Sequence, residues 1–231
     1  MRGLDLNCDL GEGGRFDGEL MPLITSANIA CAGHAGDLTT AVIALASAKR
    51  YRVQVGAHPG FMDREHFGRR ELNLSANEIR DLIILQVEFL RSLEDSWEVR
   101  YIKPHGALYN MACRDDRIAR PVIDAAVTLG LPLLALPNSR LEELSRGRIG
   151  FIREGFADRR YWPDGSLVPR DQPDAFIETP EEAVQQALAL VEKGVQSICV
   201  HGDNPESLAF VRALREGLTA AGVTIEAFSV R

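Results

Sequence analysis

Apolar runs of strand length alternate with helical segments along the whole chain, and this alternation limits the possible folds more than any other feature. The strand-like runs fall at residues 4–8, 24–31, 52–57, 99–102, 131–136, 149–152, 197–200 and 223–228. Helical periodicity follows six of them, at residues 38–50, 75–93, 118–129, 140–146, 179–194 and 205–221. Strands that alternate with helices predict a parallel sheet covered by its crossover helices.

Side chains that can take part in catalysis or ligand binding lie at the ends of these strand-like runs. They are Asn7, Asp9, His34, Asp37, His58, Lys103, His105, Asp158, Arg159, His201 and Asp203, and they include four of the five histidines. In an open sheet only the strand ends near the switch point share a crevice, whereas in a closed barrel all strand ends face one mouth. We therefore predict a TIM-like β/α barrel of about seven strands, formed by a single domain over residues 1–231.

Some of these residues also fit ordinary structural roles. Asp37 can cap a helix, and Glu12 can neutralise the positive end of a short helix. The sequence KPHG at residues 103–106 is more specific, because it places a cation and an imidazole beside a rigid turn where a strand ends. His66, in a charged run, is typical of a solvated loop. The long polar stretch 154–173 predicts a loop that covers the active site.

Charge and composition exclude several classes of function. The chain has 33 acidic and 26 basic residues and a net charge of −7, so it lacks the excess of basic residues that binding to nucleic acid requires. No apolar run reaches the ~18 residues of a membrane-spanning helix, and the first residues show no apolar leader, so we expect a cytoplasmic protein without a membrane partner. The four cysteines, Cys8, Cys31, Cys113 and Cys199, form no CxxC pair and are expected to be reduced and mostly structural.

Metal binding is open from the residues alone. Histidine and carboxylate side chains together suit zinc or a similar divalent ion. The compact His-Glu-x-x-His motif is absent, so any ligands would come from separate loops, and from this spacing we expect that no tightly bound metal is required. The sequence also lacks a GxSxG nucleophile motif, a Walker A phosphate loop and a GxGxxG dinucleotide motif.

A series of motifs resembles one known family over nearly the whole chain. They are DLNCDLGE at residues 5–12, NIAC at 28–31, HAGD at 34–37, GAHPG at 56–60, KPHGALYN at 103–110, FADR at 156–159, LVPR at 167–170 and VHGD at 200–203. In this order they closely resemble the LamB/YcsF family. One departure is Ala32-Gly33 before His34, where the family usually has Gly-Phe. Loss of that aromatic ring could loosen the loop or widen the pocket.

The resemblance implies both a fold and a reaction. The fold is a distorted β/α barrel similar to the glycoside hydrolase and polysaccharide deacetylase barrels. The reaction is the hydrolytic opening of the 5-oxo-L-proline lactam to L-glutamate, with ATP as co-substrate of a 5-oxoprolinase complex that contains partner subunits B and C. Phosphorylation of the lactam oxygen would make the ring carbon more electrophilic, so that water could attack it with the help of a general base and a cation.

For this reaction the strand-end and loop positions suggest roles for named residues. We expect Asp9 to be the general base, with Glu12 tuning its proton, and His34 and His105 to donate protons to the lactam. Substrate binding is assigned to Asn7, Asp37, His58, Lys103, Arg159, Arg170, His201 and Asp203. Two alternatives stay open: a metal-dependent, deacetylase-like amidohydrolase that acts alone, and a non-catalytic lactam-binding subunit.

Overall fold

The computed structural model describes residues 3–93, 98–202 and 206–229. The strands are β1 (Gly3–Leu10), β2 (Ser26–Ala30), β3 (Gln54–His58), β4 (Val99–Ile102), β5 (Leu133–Ala135), β6 (Phe151–Phe156), β7 (Ser197–His201) and β8 (Thr224–Ile225). The α-helices are α1 (Asp17–Leu20), α2 (Leu38–Tyr51), α3 (Ala76–Arg91), α4 (Gly106–Arg114), α5 (Asp116–Leu129), α6 (Arg140–Ser145), α7 (Pro180–Glu192) and α8 (Ser207–Ala220). Within these residues, no helix combines the length and the apolar character needed to cross a membrane.

The named strands pair in parallel, and β1 closes the sheet into a ring. Strands β2 to β7 pair in chain order, and β1 pairs with both β2 and β7, so that seven strands form a closed barrel. The register places Asp9 of β1 opposite Asn28 of β2 and His201 of β7. Strand β8 pairs with Gly3 and Leu4 at the start of β1. The predicted TIM-like β/α barrel of about seven strands is confirmed.

Two local predictions differ from the structure. Helix α4 begins at Gly106, four residues after the end of β4, where we predicted only a turn. Strand β6 continues to Phe156, so Glu154 lies buried in a strand and not at the start of the covering loop predicted at residues 154–173. The loop itself connects β6 to α7. The predicted start of the last helix, residue 205, lies outside the described residues.

The side chains of β1 show how the barrel is packed on its two faces. The residues that join the main hydrophobic core with the surrounding helices are Leu4, Leu6, Cys8 and Leu10. The alternate residues Asp5, Asn7 and Asp9 are also buried, but on the opposite face, inside the barrel. There Asp5 accepts a hydrogen bond from Ser26, and Asn7 donates one to Ser197. The barrel interior therefore contains a hydrogen-bonded polar network.

Gly56 of β3 makes room for the Tyr101 ring. A methyl group at this position would lie 2.2 Å from Tyr101 Cε2. The buried Tyr101 hydroxyl donates to Asn28 Oδ1 at 2.7 Å, so the ring cannot move away without losing that bond. We expect Gly56→Ala to lower the free energy of unfolding by about 1–3 kcal/mol, measured by urea denaturation. The matched control is Gly18→Ala, whose methyl group would meet nothing within 4 Å; an equal loss in both variants would contradict this.

The four cysteines are free thiols, as predicted. Three of them are buried, and Cys113 is partly buried. Burial raises the pKa of Cys31 and Cys113 to about 12. Because only the thiolate is a good nucleophile, the raised pKa values of Cys31 and Cys113 favour a structural role for these two thiols.

Candidate active site

A cavity of about 770 Å³ opens at the carboxyl ends of the barrel strands. The strand ends contribute Asp9, His58, Lys103, His105 and His201 to its lining. The loop between β6 and α7 contributes further lining residues, among them Arg159, Trp162, Val168 and Arg170. Four strands thus bring five of the predicted site residues together around a space that suits a small polar substrate.

Lys103 is buried at the cavity between two carboxyl groups. Its Nζ lies 2.8 Å from Asp9 Oδ1 and 2.9 Å from Glu154 Oε1. The same nitrogen contacts Asn7 Oδ1 at 3.3 Å and Cys199 Sγ at 3.1 Å. Only 2% of the lysine side chain is exposed, so these neighbours replace water in stabilising its charge.

Burial and charge together determine the protonation of this group. Burial alone would raise the pKa of Asp9, but the charges of His58 and Lys103 hold this pKa well below its usual range. Burial alone would lower the pKa of Lys103, but the carboxylates of Asp9 and Glu154 hold it well above its usual range. Burial raises the pKa of Glu154. Asp9 is therefore a carboxylate and Lys103 an ammonium group at neutral pH.

Three imidazole rings and a carboxyl group meet beside Asp9. This histidine cluster consists of Glu12, His34, His58 and His105. The His34 and His105 rings are stacked with their centroids 3.6 Å apart, and Glu12 Oε1 lies 3.1 Å from His34 Nε2. Burial lowers the pKa of His34 to about 2 and that of His105 well below its usual range. Both of these rings are therefore neutral.

Backbone carbonyl groups determine which ring nitrogens carry hydrogen. His58 Nδ1 lies 2.7 Å from the carbonyl oxygen of Lys103. His105 Nε2 lies 2.9 Å from the carbonyl oxygen of Phe67. Because a carbonyl oxygen only accepts, each of these two nitrogens is the donor. The remaining nitrogens, His58 Nε2 and His105 Nδ1, face each other at 2.9 Å.

Two glycines allow neighbouring loops to approach the histidine cluster. A Cβ atom on Gly60 would lie 2.7 Å from His34 Nδ1, and one on Gly68 would lie 2.7 Å from His34 Cβ. Gly68 also has a φ angle of +63°, which favours glycine. A larger residue at either position would therefore displace the stacked rings.

The side chain of Gln86 in α3 lies against Gly33, in the Ala32-Gly33 pair that departs from the family pattern. A Cβ atom on Gly33 would lie 2.4 Å from Gln86 Oε1. The Gln86 amide group accepts from Gly60 N at 3.0 Å and donates to Gly60 O at 2.7 Å. Helix α3 therefore supports the loops after β2 and β3 at this point.

His201 is held in place by Asp158. The backbone nitrogen and ring Nδ1 of His201 each lie 3.0 Å from an Asp158 carboxylate oxygen. The Phe156 ring stacks on the imidazole with centroids 5.2 Å apart. Burial lowers the pKa of His201, and the charge of Asp158 opposes that shift. An imidazole oriented by a carboxylate is well suited to general acid–base chemistry.

Four arginines line the cavity. Arg159 is buried and donates to two carbonyl groups of its own loop, so it also holds that loop together. Arg170 is partly exposed, and its guanidinium lies 5.4 Å from the centre of the Phe176 ring. Arg69 and Arg114, which we did not predict, lie on the lining as well. This arrangement favours an anionic ligand.

Several predicted substrate-binding residues lie elsewhere. Asp37 is exposed and caps α2 by accepting from Thr40 N, so its assignment to the site is corrected. Asn7 is buried inside the barrel and contacts the Lys103 ammonium group, so it positions Lys103 and is not part of the cavity lining. Asp203 lies outside the described residues.

The predicted proton donors are also placed differently. Among the described residues that line the cavity, neither Glu12 nor His34 is present. His105 lines the cavity, but both of its ring nitrogens are engaged by neighbours. This geometry does not favour donation from His34 or His105 to a substrate, which stays a prediction. His66 ends a short 3-10 helix, Arg64–His66, and not the predicted loop; its side chain is 44% exposed, as expected for a solvated residue, and contacts Asp63 at 3.0 Å.

Asn28 and Glu154 are site residues that the sequence analysis missed. Asn28 donates to Asp9 Oδ1 at 2.7 Å, and Glu154 accepts from the Tyr109 hydroxyl at 2.9 Å. The sequence did contain a signal for Glu154. It stands two residues before Phe156, so in a strand the two side chains lie on the same face. An acidic residue on the inner face of a buried strand indicates a specific partner.

The histidine cluster shows that the wide spacing of these residues in the sequence is not an argument against a bound metal. Its potential ligand atoms all lie within 4.8 Å of one another, although the residues are far apart in the sequence. They meet because they follow strands that are neighbours in the barrel. That no tightly bound metal is required stays a prediction, now without support from the spacing.

Comparison with known proteins identifies the family. Residues 4–231 match the LamB/YcsF family. A Neisseria meningitidis protein, named as the A subunit of 5-oxoprolinase, is 44% identical, with 98% of this chain and 100% of the relative covered. The crystal structure of a lactam utilization protein from Thermus thermophilus is 37% identical, with a TM-score of 0.90 and 98% and 100% of the two chains covered. The catalytic domain of a peptidoglycan N-acetylglucosamine deacetylase from Eubacterium rectale shares the fold, at 13% identity and a TM-score of 0.57, with 99% and 89% covered. This chain belongs to the LamB/YcsF family.

Proposed function

We propose that this chain opens the lactam ring of 5-oxo-L-proline to give L-glutamate, as the A subunit of an ATP-dependent 5-oxoprolinase. ATP is then the co-substrate of a cytoplasmic complex with partner subunits B and C. The names of full-length relatives support this reaction class. The observation that carries the proposal is the ionised Asp9 beside Lys103, at a cavity lined by arginines.

The charges around the cavity fit an anionic lactam. 5-Oxoproline carries a carboxylate, and phosphorylation of its lactam oxygen adds further negative charge. Arg69, Arg170 and Lys103 all line the cavity and supply the cations that such a substrate needs. Lys103 is also close enough to Asp9 to stabilise negative charge where the attack occurs.

Asp9 accepts the proton of the attacking water in this proposal. Its low pKa makes it a weak base in the resting protein. An anionic substrate beside Lys103 offsets part of the positive charge there, which raises the pKa of Asp9 toward the range of an effective base. The departing ring nitrogen needs a proton, and His201, oriented by Asp158 and within 4.8 Å of Asp9, passes on the proton that Asp9 has taken from the water. Cleavage of the ring C–N bond leaves an acyl phosphate, and a second water releases its phosphate to give glutamate.

A metal-dependent amidohydrolase that acts alone is the second candidate. The histidine cluster favours it, because four potential ligand atoms of types that suit zinc converge there. Such an enzyme would hydrolyse an amide without prior phosphorylation. It therefore differs from the first candidate in its need for ATP and for partners.

The two candidates are separated by measuring glutamate release from 5-oxoproline. The purified chain is assayed alone and together with subunits B and C, each with and without ATP. We expect glutamate only from the complete mixture with ATP, because the sequence has no phosphate loop of its own. ATP-independent release by the chain alone would replace the proposal with the second candidate.

A further inference from the structure

The facing nitrogens of His58 and His105 require a positive charge between or beside them. Their other nitrogens donate to carbonyl groups, so in neutral rings His58 Nε2 and His105 Nδ1 each present a lone pair. Two lone pairs at 2.9 Å repel each other. Either a proton or a metal ion must therefore compensate this contact.

The separations between polar atoms in the cluster fit a metal ion. Ligand atoms ~2.0–2.1 Å from a tetrahedral zinc ion lie ~3.3 Å from one another. Glu12 Oε1 lies 3.1 Å from His34 Nε2, 3.5 Å from His105 Nδ1 and 3.8 Å from His58 Nε2. These distances scatter around the tetrahedral value on both sides. Three imidazole nitrogens and one carboxylate oxygen are also the donor types that zinc and similar ions bind.

The surroundings of two of the three cluster histidines also match those of metal-binding histidines, whereas His34 Nδ1 is buried without a hydrogen-bond partner among the described residues. Such histidines donate their outer ring nitrogen to a carbonyl or carboxylate group, which fixes the ring orientation. His58 and His105 both do so through backbone carbonyl groups. Asp9 Oδ2 lies 3.4 Å from His58 Nε2, so a second carboxylate is available to balance a divalent charge.

From this geometry we propose that Glu12, His34, His58 and His105 bind a divalent transition-metal ion of the zinc class. A second group of potential ligands, Asp9, Cys199 and His201, is less suitable. The Lys103 ammonium group already lies between Asp9 and Cys199, at 2.8 and 3.1 Å, so a cation occupies that position. A metal in the histidine cluster would lie beside the cavity, because His58 and His105 also line it. There it could polarise a carbonyl oxygen.

The test measures metal binding without substrate, ATP or partners, so it is independent of the proposed function. The full chain is stripped with a chelator, dialysed and titrated with Zn²⁺ by calorimetry, and Co²⁺ is added as a probe whose visible absorption reports coordination number. We expect one ion per chain and the spectrum of a four-coordinate site. Zn²⁺ should also raise the melting temperature.

Matched variants locate the ion. We expect His58→Gln and Glu12→Gln to weaken Zn²⁺ binding at least ~100-fold. His66→Gln, outside the cluster, and His201→Gln, in the second group, should bind like the original chain. If His58→Gln does not fold, Glu12→Gln decides, since Glu12 lies outside the strands and glutamine keeps the volume of its side chain. If the unaltered chain takes up no Zn²⁺, a proton shared by His58 and His105 would explain their contact, and the proposal would be overturned. Loss of Zn²⁺ binding in His201→Gln alone would also overturn it.

Discussion

Lys103→Met should lower the free energy of unfolding by about 3–5 kcal/mol, because it leaves two carboxyl groups buried without their cation. Asp9 and Glu154 contact the ammonium group at 2.8 and 2.9 Å, and less than a tenth of either side chain is exposed. Methionine fills a similar volume, so the loss reports charge and not a cavity. Thermal unfolding should show a melting temperature lower by roughly 6–20 °C in a chain of this size.

Two further variants identify the cause of this loss. Lys193→Met removes an exposed lysine and should leave the melting temperature nearly unchanged. Adding Glu154→Gln to Lys103→Met removes one of the stranded carboxyl groups and should recover part of the stability. If Lys103→Met melts like Lys193→Met, the buried charge network does not stabilise the fold as described.

Asp9→Asn should lower glutamate release by the reconstituted complex by ~100-fold or more, which is the usual effect of removing a group that accepts a proton in the transition state. Asparagine keeps an oxygen that can accept from Asn28, so the local hydrogen bonding is largely preserved. The measurement is the turnover number at saturating 5-oxoproline and ATP. Melting and assembly with subunits B and C are measured on the same preparation.

Asp81→Asn is the matched control for Asp9→Asn. Asp81 is an exposed residue of α3 that pairs with Arg80 at the surface, so its replacement should leave turnover unchanged. Near-normal glutamate release by Asp9→Asn would mean that the chain binds the lactam without catalysing its opening. The non-catalytic subunit would then be the better description.

Local signals explain which elements could be predicted from the sequence. The start of α3 was predictable because Ser75 and Glu78 form a capping box, and both of its hydrogen bonds are present. Helix α4 was not, because Pro104 and Gly106 signal a turn, and the helix begins at a glycine with a φ angle of +54°. Its buried residues pack against α5 and α6, and such tertiary contacts leave no local signature.

The site was predictable in position but not in detail. Asp9, His58, Lys103 and His201 line the cavity because strand ends of a closed barrel must converge. The sequence could not show that Asp37 turns away to cap a helix, since the same residue type serves both roles. Proton positions depend on carbonyl groups that lie 38 and 45 residues away along the chain, and no local pattern encodes them.

The closure of the barrel by its first strand has a consequence for biosynthesis. Asn7 donates to Ser197 across a sequence separation of 190 residues, and Asp9 pairs in register with His201. A ribosome must therefore release the chain as far as His201 before β1 meets its second neighbour and the polar interior is sealed. Until then one edge of β1 is unpaired, and its carboxyl groups, which are buried in the folded barrel, are exposed to solvent. Slow translation or limited chaperone supply should consequently reduce the yield of active protein more than it would for a fold whose first strand pairs only with its sequence neighbours.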